Sequence, residues 1–235
     1  MYNNFMYGGY YGYSSYLIYI LPGLLLAMWA QFKIKSSYSK YIKVDSGSGM
    51  TGAEVARYIM DRNGLYDVKI ERINGTLSDN YNPQNKVLSL SSDIYNGRSI
   101  ASVGVAAHEV GHALQHQANY VPLKIRGALV PAAMIGSQLS MVFIVLGLFF
   151  QRFFITVGIA LFAIAVLFQI VTLPVEFDAS RRAQKELARG ILNESSLKGT
   201  REILVAAALT YVASTLVAIG QLLRLLAIYG GRRRE

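Results

Sequence analysis

His108-Glu109-Val110-Gly111-His112 is the run best suited to chemistry in this 235-residue chain, whose three histidines are all found at His108, His112 and His116. On a helix, residues four apart lie about 40° round and about 6 Å along from each other, so His108 and His112 share a face. Two imidazole nitrogens one turn apart can reach a single tetrahedral ion at about 2.0–2.1 Å. Glu109 stands about 100° round from His108 and is placed to hold and deprotonate a water on that ion. His116 falls two turns from His108, about 12 Å away along a straight helix, too far to share the ion. It reads as a polar neighbour of the site. Ala106, Ala107, Gly111 and Ala113 leave room around the ligands.

A catalytic zinc takes three protein ligands and keeps a fourth position open. The chain has no cysteine and no further histidine, so the third ligand must be a carboxylate. Glu176 and Asp178, in Pro174-Val175-Glu176-Phe177-Asp178-Ala179-Ser180, are the candidates. Pro174 can begin a helix and put Glu176 in its first turn, which favours Glu176. Asp178 would then orient a ligand histidine through a hydrogen bond.

The elements that must position these groups are legible nearby. Ser99 to about Gln117 reads as a helix with Ile100, Val103, Ala107, Val110 and Leu114 as its apolar stripe. Thr51-Gly52-Ala53-Glu54 is a capping box opening a helix through about Arg62, with Asn63-Gly64 as its stop. Val68–Ile73 and Lys86–Ser91 alternate as strands do, and Asp79-Asn80-Tyr81-Asn82-Pro83 reads as a turn. Lys86–Ser91 could offer an open edge on which an extended peptide pairs.

Hydrophobic residues make up 53% of the chain and charged residues 16%. Soluble chains average about 25% charged, so apolar spans joined to a polar domain fit better than one soluble globule. The expected organisation is a Tyr/Gly-rich flexible tail at 1–16, a first span at 17–32 and a cytosolic α+β region at 33–126 containing the histidine helix. Spans at 127–150 and 153–173 form a tight hairpin, 174–202 is a cytosolic segment with the third ligand, and 203–229 is an apolar helix that crosses. The formal charge of +9 is mostly a topology signal. Lys33, Lys35, Lys40, Lys43, Lys124, Arg126, Arg181, Arg182, Lys185 and Arg189 all flank spans on one side, and such residues stay cytoplasmic. Arg232, Arg233 and Arg234 oppose that rule if the last helix crosses. A nucleic-acid partner is therefore not expected.

HEVGHALQH at 108–116, LPVEFDASRRA at 173–183 and ALTYVAS at 208–214 resemble the YugP-like family of membrane-anchored neutral zinc metallopeptidases over most of the chain. More distantly, the chain is similar to the HtpX and CaaX-prenyl-protease group of membrane gluzincins. The resemblance implies one catalytic zinc held by His108, His112 and Glu176, with Glu109 as acid/base. The distant group usually has an aspartate four residues after its ligand glutamate. Here that place is Ser180, and Asp178 is the candidate replacement. The expected fold is mainly α, a polytopic helical membrane protein with a small α+β zincin-like cytosolic element. The expected function is hydrolysis of peptide bonds in a peptide or membrane-protein substrate at the cytoplasmic face of the cell membrane, by a zinc-activated water and Glu109. Tyr211, His116 and Arg181 are the candidate oxyanion donors. The alternatives are a non-catalytic zinc-binding scaffold and a zinc hydrolase of a lipid-linked, non-peptide bond.

Overall fold

A computed structural model describes residues 17–76 and 78–230. The tail expected at 1–16 and Arg232, Arg233 and Arg234 lie outside the described residues. In chain order the elements are α1 (Leu21–Tyr41), α2 (Gly52–Arg62), β1 (Lys69–Ile73), β2 (Asn80–Asn82), β3 (Val87–Ser91), α3 (Ser92–Asn96), α4 (Ile100–Gln117), α5 (Val121–Phe149), α6 (Arg152–Leu187) and α7 (Glu194–Gly230). Among the described residues the protein is thus mainly helical with one small sheet. The chain divides into two compact units, one within Met1–Ala30, Ile125–Leu173 and Thr210–Glu235, the other within Gln31–Lys124 and Pro174–Leu209.

The first unit is built from long apolar helices. Among the described residues, α5, α6 and α7 are the helices long and apolar enough to cross a membrane. Their large side chains stay exposed, Met134, Met141, Phe149 and Phe153 among them. Such surface is costly in water and neutral in lipid, which makes this a bilayer protein. Within the hairpin of α5 and α6, small residues let the backbones meet. A Cβ on Gly136 would lie 2.8 Å from the Leu161 carbonyl oxygen, and one on Gly158 2.8 Å from that of Ser140.

The second unit has a conventional core. Thr51 caps α2, its hydroxyl accepting from Glu54 N while the Glu54 carboxylate accepts from Thr51 N at 2.7 Å. Gly64, at φ 75°, takes the left-handed conformation that ends the helix region. The stripe of α4 buries Val103, Ala107 and Val110 against Val55 and Ile59 of α2 and Leu88 and Leu90 of β3. Burying each Leu, Ile or Val contributes about 1.5–3 kcal/mol.

Two expectations give way in the sheet, whose order is β1-β3-β2. β3 pairs parallel with β1 and antiparallel with β2, so the Lys86–Ser91 strand is central and offers no open edge. Its fully buried Leu88 and Leu90 explain why it sits inside. Part of the expected turn is itself a strand, because Asn80–Asn82 pairs with Val87–Ser89 despite its turn-forming composition. Asp79 fixes this return of the chain by accepting from Ser91 N at 2.7 Å and from the Ser91 hydroxyl.

Candidate metal centre

α4 begins at Ser99, whose hydroxyl accepts from Ser102 N at 3.0 Å. It runs without interruption through the two histidines, so the four-residue spacing becomes real proximity. The rings of His108 and His112 lie edge to face with centroids 4.9 Å apart.

α6 brings the carboxylates. Pro174 lies inside this helix and not at its start, so Glu176 occupies the helix interior, contrary to the expectation of a first-turn position. The missing proline N–H removes only the bond to Ile170, and the helix carries through.

The crossing of α4 and α6 is permitted by one residue. A Cβ built on Gly111 would stand 2.4 Å from the Ala179 carbonyl oxygen, so only glycine allows the backbones this close. Glu176 Oε2 then lies 3.3 Å from His108 Nε2 and 3.8 Å from His112 Nε2. Ligand atoms of His108, His112 and Glu176 all fall within 4.8 Å of one another. Donors on a tetrahedral ion with bonds of 2.0–2.1 Å stand about 3.4 Å apart. The separations and the donor types therefore fit zinc.

The outward nitrogens of both rings have protein partners. Ser180 Oγ lies 3.2 Å from His108 Nδ1, so the serine at this place meets one of the two clustered histidines. His112 Nδ1 lies 3.0 Å from Gln115 Oε1. Asp178 meets neither histidine directly, contrary to the expectation from sequence. Its Oδ2 accepts from Gln115 Nε2 at 3.0 Å, and Gln115 stands between it and His112. Asp178 also pairs with Arg181 and, at 2.6 Å, with Arg182 Nε. Gln115 was missed by sequence reasoning, although its place three residues after His112 puts it on the same helical face.

Burial pulls the His108 pKa down, but the Glu176 carboxylate at its Nε2 and the charges of Glu109 and Glu176 prevail, leaving it above the ordinary imidazole value. Glu109 itself is half-buried on α4.

His116 stands apart from the cluster, with Nδ1 2.9 Å from the Tyr81 hydroxyl. Of the other oxyanion candidates, Arg181 is engaged by Asp178.

Residues 16–230 match the family described as "putative neutral zinc metallopeptidase". The chain belongs to this family. It is 45% identical to the "putative membrane protease YugP" of Bacillus subtilis (strain 168) over 222 residues, which cover 94% of this chain and 99% of the relative. No solved structure matches the chain. The family description names zinc and a peptidase, and the relative's name a membrane protease. Both agree with a chain of long apolar helices that also carries a His-His-Glu cluster.

Proposed function

We propose that this protein is a membrane zinc endopeptidase in which His108, His112 and Glu176 hold one zinc ion and Glu109 is the general base and acid. The observation that carries the reading is the convergence of those three side chains within 4.8 Å, with Glu109 next to His108 on α4. When bound, zinc supplies Lewis acidity, polarising a carbonyl and allowing water to ionise near neutral pH.

The chain's residues do the rest. The two Nε2 lone pairs and the Glu176 carboxylate offer three donors, which leaves room for water and substrate. The Glu109 carboxylate takes a proton from the attacking water and then gives it to the amide nitrogen as that bond breaks. A structural zinc closes its site with four ligands and needs no base. The three-donor cluster with Glu109 adjacent therefore supports catalysis over a scaffold role. The basic residues flanking the spans support a cytoplasmic site.

Glu109→Gln tests the assignment directly. Purified in detergent, this variant should retain zinc but cleave quenched peptides at least about 100-fold more slowly, the low end of what general acid–base catalysis contributes. Glu176→Ala should lose zinc. A Glu109→Gln protein with full activity would refute the catalytic assignment, and unchanged metal content in Glu176→Ala would reassign the third ligand. If wild type hydrolyses components of a lipid extract but no peptide, the substrate class is wrong.

A further inference from the structure

Gln115 is fully buried, and every donor and acceptor group of its amide is engaged. Nε2 donates to the Val175 carbonyl at 2.8 Å and to Asp178 Oδ2 at 3.0 Å. A primary amide has two N–H donors, so these bonds use both and fix which end is nitrogen. The reversed amide would press its oxygen against a carbonyl and a carboxylate. Oε1 must therefore face His112 Nδ1, 3.0 Å away. An amide oxygen only accepts, so Nδ1 carries the ring proton. The lone pair of the neutral ring then falls on Nε2, the atom 3.8 Å from Glu176 Oε2.

We infer that Gln115 is a positioning residue that selects the metal-binding tautomer of His112, with Asp178 holding the amide from behind. This rests on the zinc reading above and adds to it an asymmetry between the two histidines. His108 Nδ1 meets the hydroxyl of Ser180 at 3.2 Å. A hydroxyl donates or accepts by rotating, so it selects neither tautomer. At His112 the choice is made by a chain of bonds that cannot reverse. Arg182 Nε, 2.6 Å from Asp178 Oδ2, anchors the far end of that chain.

The test measures zinc affinity on the full-length protein in detergent, by competition with a chromophoric chelator. It also measures the thermal midpoint of the metal-stripped protein. Gln115→Met keeps the length of the side chain and removes its hydrogen bonds. Zinc binding should weaken by about 10–100-fold, the usual effect of losing an outer partner of a ligand histidine. Asp178→Asn should weaken it less, and should add nothing once Gln115→Met is present, because the two act in series. A purely structural role would lower the metal-free midpoint and leave affinity unmoved. Zinc affinity of Gln115→Met within about threefold of wild type, with His112→Ala abolishing binding, overturns the inference and spares the zinc reading. Wild type that binds no zinc overturns both. Should Gln115→Met fail to fold, Asp178→Asn decides alone: a loss above about threefold upholds the inference, and an unchanged affinity overturns it.

Discussion

At the scale of single residues, the site separates three histidines that look alike in composition. His108 and His112 converge on Glu176, whereas His116 is committed through Nδ1 to the Tyr81 hydroxyl. In His116→Asn the zinc content of purified protein should stay at the wild-type level, while His108→Asn and His112→Asn lose metal. Metal analysis of the three variants checks this, and a zinc-free His116→Asn would return that residue to the ligand set. The pair His108 and His112 was legible because both lie on one helix, where spacing alone fixes geometry. Glu176 was legible as one of two carboxylates. Gln115 was not, because its meaning depends on Asp178, 63 residues away on another helix. Read alone, an amide near the end of a helix looks like a group that faces water.

Among elements, the decisive contact is the crossing of α4 and α6 at Gly111. Gly111→Ala would put a methyl 2.4 Å from a main-chain oxygen, which cannot rotate away. The helices must separate, at a cost of about 1–3 kcal/mol, and Glu176 should move off the histidines. Gly104→Ala is the control on the same helix. Its new methyl would meet Thr200 Cγ2 at 2.6 Å, a side-chain atom away from the His-His-Glu cluster. Denaturation midpoints and zinc affinity should both fall in Gly111→Ala, while Gly104→Ala keeps its zinc affinity. Equal zinc affinity in the two variants would show that this crossing does not set the site. The capped helix and α4 were readable from sequence because caps and apolar stripes are local. The pairing of β2 and the continuity of α6 through Pro174 were not. Both are cases where contacts distant in sequence outweigh the local preference of Asn, Asp and Pro residues.

For the whole molecule, the placement of basic residues bears on which side of the bilayer holds the cluster. Lys33, Lys35, Lys40, Lys43, Lys124, Arg181 and Arg182 all belong to the second unit, as do His108, His112 and Glu176. Basic residues near span ends resist translocation, which predicts that this unit stays in the cytoplasm and the turn between α5 and α6 faces out. The chain has no cysteine, so single introduced thiols report their side without background. Tyr66 is 75% exposed in the second unit, and Gln151 is exposed in the turn of the hairpin. In intact cells a membrane-impermeant maleimide should label Gln151→Cys and spare Tyr66→Cys, and permeabilisation should make both react. Labelling of Tyr66→Cys in intact cells would place the site outside, and the peptides it cleaves would then have to be sought beyond the cytoplasm.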